Sequence, residues 1–305
     1  MREYEDIKYF DQWDIIEKVN KGWSDDKKFY IKTKNCKELL LRISDISEYE
    51  KKKAEFEKIN ELKDSTFIMS SAIDFGICNN GRSVYGLYTW VHGEDARDEI
   101  SSLAKKKQYE LGISAGKYLK EIHSLKDSNC NYHWYDKFNK KIDRKISTYK
   151  ECGIVIKNDD IIIKYLNDNR ELLKGRPVTF QHGDYHIGNM IITPSEELGI
   201  IDFNRIDYGD PWEEFNRIVW SAEASSEFAS GYINGYFNNE VPDKFFRLML
   251  LYILSNQIGS IAWAAGYGKE ELDIAIKQAE NIVNWYNKFE SYIPNWYVKE
   301  IKGKK

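Results

Sequence analysis

The chain has 305 residues, with 45 basic and 49 acidic side chains and a formal net charge of −4. This length is enough to bury a substantial core and suits two lobes that share one cleft. The only basic tail is the short stretch at residues 302–305. The composition therefore argues against nucleic acid as a partner, because binding to a phosphate backbone depends on clustered Lys and Arg.

The cysteines and the apolar runs bear on the cellular compartment. No Cys-x-x-Cys pair is present, and no His stands at zinc-finger spacing, so we expect ordinary reduced thiols. The N-terminus is too acidic for a signal peptide. The longest apolar run, residues 248–254, falls far short of the ~20 residues that a membrane-spanning helix needs. The sequence predicts a soluble, cytoplasmic protein with no membrane partner. The four cysteines are Cys36, Cys78, Cys130 and Cys152.

The first ninety residues are predicted to be rich in β-structure with one helix. Runs of strand length alternate with stretches of turn residues, and Asn79–Arg82 contains the Asn-Gly pair typical of a hairpin. Ser47 is predicted to cap a charged helix whose apolar residues Phe56, Ile59 and Leu62 recur at helical spacing. The predicted strands are residues 13–19, 28–32, 38–43, 72–78 and 83–88.

The remainder is predicted to be mainly helical. Apolar stripes at spacings of three and four predict helices over residues 111–125, 160–173 and 245–267. One β-rich island interrupts them, with strands at residues 178–180, 190–192 and 198–201, and the turn 194–197 joins the last two into a hairpin. The pattern predicts an α+β chain with a β-rich nucleotide-binding lobe, residues 1–91, and a larger helical catalytic and substrate-binding lobe, residues 92–305.

Three oxygen-bearing side chains stand out around this island. Asp184 and Asn189 are separated by four residues, and Asp202 follows on the next strand after the hairpin. Phosphoryl transfer needs such a set: one carboxylate accepts the proton of the attacking hydroxyl, while an amide and a second carboxylate hold Mg²⁺. We therefore predict Asp184 as the catalytic base, and Asn189 and Asp202 as the metal ligands. Taken singly, each of these residues would more often only stabilise its own turn.

The motif His182-Gly183-Asp184-x4-Asn189, followed by Ile201-Asp202-Phe203 and Gly209-Asp210-Pro211, resembles the aminoglycoside phosphotransferase and choline kinase superfamily. The resemblance extends over nearly the whole chain and implies a bilobal protein-kinase-like fold. It also implies Mg²⁺, with ATP or GTP as phosphate donor. Asn204 replaces the Gly of the protein-kinase Asp-Phe-Gly segment. Control by a flipping segment of that kind is therefore not expected.

The resemblance also implies nucleotide-binding residues in the first lobe. Arg42 occupies the position of the strand-three lysine, and Glu55 is its expected helix partner, with Glu57 as the competing choice. Ser24, in a loop that lacks Gly-x-Gly-x-x-Gly, is a candidate phosphate contact. Trp90 and Val91 lie where the hinge backbone would contact the purine edge.

The acceptor is expected to be a small molecule with a hydroxyl, and the acidic residues that follow the metal-binding segment would suit a cationic one. Asp207, Glu213 and Glu214 are the candidate substrate contacts. We favour an antibiotic phosphotransferase of aminoglycoside or related type, hence antibiotic resistance, over a metabolic choline, homoserine or fructosamine kinase. Two other classes stay open: a pseudokinase that binds nucleotide without catalysis, and a helical binding protein that is not a kinase.

Overall fold

A computed structural model describes residues 2–20, 25–125 and 132–300. Ser24 and Cys130 lie outside the described residues. The chain separates into two compact units: Met1–Glu94 with Met190–Asn204, and Asp95–Asn189 with Arg205–Lys305. The predicted division into lobes at residues 91 and 92 stays a prediction. The first unit takes in the predicted hairpin at residues 190–201, although this hairpin lies some hundred residues further along the chain.

The first unit is built on an antiparallel sheet with the strand order β1-β2-β3-β6-β5. Each of its strands contains or overlaps one of the five predicted runs. Over both units, the described strands are β1 (Trp13–Val19), β2 (Lys27–Thr33), β3 (Glu38–Asp45), β4 (Ile68–Met69), β5 (Ala72–Cys78), β6 (Ser83–Thr89), β7 (Glu94–Asp95), β8 (Thr179–Gln181), β9 (Met190–Ile192), β10 (Leu198–Ile200) and β11 (Asp207–Gly209).

Strand β3 shows how the sequence sorts its side chains between two faces. Successive side chains of a strand point to opposite faces. Leu39, Leu41 and Ile43 are buried in the apolar core of this unit. Arg42 and Ser44 therefore lie on the other face of the sheet, and α1, introduced below, contacts β5 and β6. The alternation gives this face a cation without breaking the core.

The predicted hairpin around residues 194–197 is confirmed. β9 and β10 pair antiparallel, with Met190 opposite Ile200, and β4 joins β10 in parallel. Asp202 follows β10 with a φ of +66°, a conformation that residues other than Gly rarely adopt. Backbone strain of this kind concentrates at functional sites, so the outlier supports a special role for the Asp202 side chain.

The second unit is mainly helical. The helices of the chain are α1 (Tyr49–Glu61), α2 (Ala96–Glu99), α3 (Lys105–Ile122), α4 (Trp134–Glu151), α5 (Asp159–Asp168), α6 (Ile218–Ala224), α7 (Ser226–Phe237), α8 (Asp243–Ala264) and α9 (Lys269–Trp285). α3 and α7 approach closely because glycines line both helices at their contact: a Cβ on Gly112 would lie 2.1 Å from the carbonyl oxygen of Phe228. This contact fixes α3, which holds the catalytic loop described below.

Helix α8 is the main apolar element of the second unit. Among the described residues it is the one helix whose length and composition would allow it to cross a membrane, with a mean hydropathy of 1.3. Within the fold, 72% of that apolar window is buried. Burial of this extent is what the core helix of a globular unit shows.

Several predicted element ends were wrong, and two of them show the physical reason. Ser47 does not cap the first helix; Asp45 accepts the amide of Ser47 and caps the short 3-10 turn Ile46–Glu48, after which α1 begins at Tyr49. The helix predicted over residues 160–173 ends at Asp168, and a separate 3-10 turn covers Arg170–Leu173. In both places a short polar side chain competes for the backbone and ends the regular pattern.

Candidate active site

The loop between β8 and β9 carries the predicted base. Its second residue, Gly183, has a φ of +82°, and a Cβ there would lie 1.7 Å from the carbonyl oxygen of Arg205. Only glycine fits this position without moving the backbone. At the next turn, the hydroxyl of the buried Tyr185 donates to the carbonyl of Ala115 in α3 at 2.7 Å. The loop is thus fixed to the helical unit on both sides of Asp184.

Glu214 holds the start of this loop. One carboxylate oxygen accepts the amide of Gly183 at 2.7 Å, and the other accepts the amide of His182 at 2.8 Å. Nε2 of His123 lies 3.1 Å from the second oxygen, and Nδ1 of His123 lies 3.0 Å from the hydroxyl of Tyr236. Glu214 is only 3% exposed. Charge-assisted hydrogen bonds of this kind are among the stronger ones in proteins, so Glu214 orients the catalytic loop.

Asp184 is surrounded by basic side chains. Nη1 of Arg217 lies 2.8 Å from Oδ1, Nε2 of His186 lies 3.3 Å from the same oxygen, and Nε of Arg205 lies 3.5 Å from Oδ2. Burial would raise the pKa of this carboxyl, but His186, Arg217 and Arg205 together hold the pKa well below its usual range. The carboxylate is therefore ionised at neutral pH, as a proton acceptor must be.

The tautomer of His186 follows from its hydrogen bonds. Nδ1 accepts the amide of Gly188 at 3.1 Å, which assigns the proton of the neutral ring to Nε2, the atom facing Asp184. The ring centroid lies 5.0 Å from that of Trp220. The Nε2 atom of His186, which carries the proton, therefore lies next to the Asp184 carboxylate at 3.3 Å.

The two predicted metal ligands fit a hard cation in different ways. The Nδ2 group of Asn189 donates to the carbonyl of Asp184 at 2.9 Å, which leaves Oδ1 of the amide as an acceptor. Asp202, in the first unit, has one oxygen contacted by Arg42 and a second oxygen with no ion pair among the described residues. Both offer oxygen, the ligand type that Mg²⁺ prefers. Among the described residues, no cluster of three or more His, Cys, Asp or Glu could hold a metal ion.

Arg42 is the centre of a charged cluster in the first unit. It donates to Oδ2 of Asp26 through Nε at 3.1 Å and Nη2 at 2.6 Å, and to Oδ1 of Asp202 through Nη1 at 3.0 Å. Asp26 also accepts Ser44 at 2.7 Å and Lys52 at 2.9 Å. Burial would raise the pKa of Asp26, but Arg42, Ser44 and Lys52 lower it to about 2. The carboxylate of Asp26 thus stays charged against these cations.

The expected pairing of Arg42 with Glu55 differs from the one observed. Glu55 pairs with Lys52 at 3.3 Å, and no ion pair joins it to Arg42 within the described ranges. Burial raises the pKa of Glu55 against the opposing charge of Lys52. On the neighbouring strand, Lys28 stands opposite Arg42, and its pKa is lowered by burial despite the nearby Asp202. The cluster therefore has three cations where the sequence predicted one.

The predicted hinge follows β6. The amide of Trp90 donates to the carbonyl of Glu38 at 3.1 Å, and its ring packs edge-on against Tyr30 at 5.1 Å. Val91 is buried, and its N–H and C=O find no hydrogen-bond partner in residues 2–20, 25–125 and 132–300. Buried backbone groups are nearly always paired, so Val91 has the groups that a purine edge could bind. The role of Trp90 and Val91 stays a prediction.

The acidic residues predicted to contact the acceptor already have partners. The prediction that Glu214 contacts the acceptor was wrong, because both of its carboxylate oxygens are bound by the catalytic loop and its side chain is almost fully buried. Glu213 accepts Lys141 at 3.0 Å, and Asp207 lies 3.6 Å from Lys137. Asp210 of the Gly-Asp-Pro motif is fully buried and accepts Arg176 in a bidentate pair. Each of these carboxylates thus has a partner within the second unit.

Several residues of these two clusters were missed from the sequence. Asp26, Lys28 and Lys52 surround Arg42, while Arg205 and Arg217 contact Asp184. The alternation of β2 could have indicated Lys28, because it shares a face with Tyr30 and Lys32. Arg205 and Arg217 stand in a charged segment, where spacing alone does not distinguish a site residue from a surface residue.

The comparisons with known proteins settle the family. A model of the phosphotransferase enzyme family, APH, matches residues 15–246. The chain belongs to the phosphotransferase enzyme family. This membership confirms the predicted superfamily and identifies the chain as an enzyme that transfers phosphate to a hydroxyl group. No curated protein matches the sequence.

Solved structures of aminoglycoside phosphotransferases share the fold. The streptomycin-ATP complex of APH(2")-IIa matches with a TM-score of 0.63 and 19% identity, covering 95% of this chain and 96% of that chain. A hygromycin B and ADP complex of APH(4)-Ia matches with a TM-score of 0.66 and 14% identity, covering 93% and 98%. The amicoumacin kinase hAmiN, with AMP-PNP, Ca²⁺ and Ami, matches at 0.62 and 13%, covering 93% and 91%. The predicted α+β, protein-kinase-like fold is confirmed.

Proposed function

We propose that this phosphotransferase is a Mg²⁺-dependent kinase that moves the γ-phosphate of ATP or GTP to a hydroxyl of a small molecule, with Asp184 as the base. The observation that carries the proposal is the state of Asp184. Its carboxylate is ionised, nearly buried, and presented by a loop that Glu214 holds through two backbone amides. A base in this state can accept the proton of a hydroxyl as it attacks phosphorus.

The other charged groups suit the donor. Asn189 and Asp202 would hold Mg²⁺, which when bound would neutralise phosphate charge and orient the phosphate for attack. Arg42, backed by Lys52 and Lys28, supplies cations for phosphate oxygens. Asp26 now occupies the Nε and Nη2 atoms of Arg42, so a phosphate that binds this guanidinium would compete with that carboxylate. Ser24 remains a candidate phosphate contact from outside the described residues.

For the acceptor, an antibiotic of the aminoglycoside or a related class is the first candidate, and we place its modification in the cytoplasm. It is supported by structural neighbours solved with streptomycin, gentamicin or hygromycin B and by the amicoumacin kinase hAmiN. These neighbours share the fold at 13 to 19% identity, so the likeness does not extend to specificity. A metabolic acceptor of choline, homoserine or fructosamine type is the alternative.

The experiment is an acceptor panel with ATP and with GTP, in which NDP release and the phosphorylated product are both measured. The proposal expects transfer that requires Mg²⁺ and one of the acceptors. Growth protection in a susceptible host would separate antibiotic resistance from metabolism. Tight nucleotide binding with no transfer to any acceptor would contradict the proposal and favour a nucleotide-binding pseudokinase.

A further inference from the structure

The cations of the first unit differ in how far their donors are already used. Each nitrogen of the Arg42 guanidinium donates to a carboxylate: Nε and Nη2 to Asp26, and Nη1 to Asp202. Lys52 donates to Asp26 at 2.9 Å and lies 3.3 Å from Glu55. The side chains of Arg42 and Lys52 are only 12% and 16% exposed. A phosphate that bound either cation would have to share it with a carboxylate.

Lys28 is placed beside this cluster by the pairing of two strands. β2 and β3 run antiparallel, and Lys28 stands directly opposite Arg42. Directly opposed residues point to the same face of a sheet, with Cβ atoms about 5 Å apart. Phe29 and Ile31, which point to the other face, pack in or against the apolar core. Lys28 and Arg42 therefore share the face that lies away from the core.

The ammonium of Lys28 has no carboxylate partner of its own. Within the described stretches of the chain it forms neither an ion pair nor a hydrogen bond, although the residue is half-buried. Burial lowers the pKa of Lys28, and the opposing charge of Asp202 raises it. A half-buried cation without a direct partner is costly, and an anion that reached it would offset this cost. Among the described cations of this cluster, Lys28 is thus the one whose donors are available to a ligand.

The same face adjoins the proposed metal ligand. Nη1 of Arg42 lies 3.0 Å from Oδ1 of Asp202, on the face that carries Lys28. A nucleotide phosphate that shared a metal ion with Asp202 would therefore come to this face. An ammonium is a compact charge on a flexible stem. Lys28 can thus follow a phosphate without displacing the carboxylates that bind Arg42.

We propose that Lys28 binds a phosphate of the nucleotide directly, while Arg42 and Lys52 together hold the carboxylates of Asp26 and Asp202 beside it. The proposal rests on the nucleotide-dependent kinase proposed above and deepens it. It assigns the direct phosphate contact to β2, whereas the sequence predicted this contact from Arg42 on β3. The ligand class is a nucleoside diphosphate or triphosphate.

The test measures how much the phosphates contribute to nucleotide binding. The affinities for ADP and adenosine are measured with Mg²⁺ by competition with a fluorescent nucleotide, and GDP and guanosine replace them if the native protein prefers guanine. Lys28→Met keeps an apolar stem and removes the charge. We expect this variant to bind ADP about 10-fold to 100-fold more weakly, the range for a hydrogen bond to a charged group, with adenosine affinity unchanged. Lys28→Arg, which keeps the charge, should lose less ADP affinity than Lys28→Met.

Lys32 offers a matched control on the same strand. It lies four residues further along β2, on the same face and about 13 Å from Lys28, and it is also half-buried. Lys32→Met should leave the difference between ADP and adenosine affinity unchanged. The unfolding midpoint of the ligand-free protein should not fall in Lys28→Met, because the ammonium that is removed has no partner among the described residues.

The role of Lys28 is overturned by any of three results. The first is native ADP affinity in Lys28→Met. The second is an equal loss of ADP and adenosine affinity, with or without a lower unfolding midpoint, which would show a disturbed first unit rather than a lost phosphate contact. The third is a loss of ADP affinity in Lys32→Met as large as that in Lys28→Met.

The two proposals fail in different ways. Unchanged ADP affinity in Lys28→Met, in a protein whose native form transfers phosphate to an acceptor, would contradict the role of Lys28 and leave the kinase intact. A selective loss of ADP affinity in Lys28→Met, without transfer by the native protein to any acceptor of the panel, would support the phosphate contact and contradict the kinase.

Discussion

The charged clusters of the two units are built in opposite ways. Around Arg42 the cations are matched by carboxylates: Asp26 and Asp202 bind the guanidinium, and Asp26 and Glu55 bind Lys52. Around Asp184 a single carboxylate faces two guanidinium groups and an imidazole. The first arrangement keeps cations in place for an anionic donor without excess charge. The second keeps a buried base ionised.

The largest effect in the first cluster is expected from Asp202. Asp202→Ala removes a proposed metal ligand, and turnover should fall at least about 100-fold, as for other losses of transition-state charge stabilisation. Mg²⁺ should then no longer strengthen nucleotide binding, which a fluorescent nucleotide titration with and without Mg²⁺ would measure. If the Mg²⁺ effect persists unchanged in this variant, Asp202 is not a metal ligand.

In the second cluster the largest effect on stability is expected from Glu214. Glu214→Gln replaces a buried acceptor of two amides, and each hydrogen bond to a charged group contributes about 1.5 to 3 kcal/mol. We expect the free energy of unfolding to fall by about 3 kcal/mol in urea titrations. Glu223→Gln, which alters an exposed carboxylate with two amide partners, is the matched control and should cost well under half of that. Equal losses would contradict the loop-holding role.

The catalytic loop can also be tested through its backbone. Gly183 and Gly81 have nearly the same φ, +82° and +84°, but a Cβ on Gly81 meets nothing within 4 Å. Alanine at either site carries the cost of a positive φ, about 1 kcal/mol or more, and only Gly183→Ala adds a clash with Arg205. Gly183→Ala should therefore lose more stability and most activity, while Gly81→Ala keeps its activity. Matching activity in the two variants would show that the loop relaxes freely.

The smallest expected effect is the pH dependence that Asp26 brings to the first cluster. Its pKa is lowered in the folded state to about 2, so its stabilising contribution is present above its ordinary pKa and is lost as the pH falls from about 4 towards 2. The difference in unfolding free energy between the native protein and Asp26→Asn should shrink by about 2 kcal/mol over that range. A constant difference would show that Asp26 is not held charged by Arg42 and Lys52.

Local patterns were enough to predict the elements that carry the site. The Asn-Gly turn, the β9–β10 hairpin and the apolar stripes of α3 and α8 follow from periodicity and turn residues within short stretches. The catalytic loop was recognisable because its motif lies within eight residues. Its position on the helical unit follows from Tyr185 and Ala115, which are separated by seventy residues in sequence.

Partner choice could not be predicted, because it depends on contacts between residues far apart in sequence. Arg42 was recognised as a cation. Its partner Asp26, however, lies sixteen residues earlier in the sequence, before β2, and Glu55 forms its ion pair with Lys52. Glu214 was identified as a carboxylate near the site, but only the fold shows both oxygens taken by loop amides. The sequence thus identified charged residues correctly more often than it identified what they bind.

The most direct test of the central claim is phosphate transfer by Asp184→Asn, which keeps the size of the side chain and removes the base. With Mg²⁺ and ATP, and an acceptor that the native protein phosphorylates, transfer should fall by about 10² to 10⁴, the range for loss of a general base. Nucleotide affinity and the unfolding midpoint should change little by comparison. Transfer at the native rate by Asp184→Asn would contradict the assignment of Asp184 and, with it, the account of this loop as the catalytic centre.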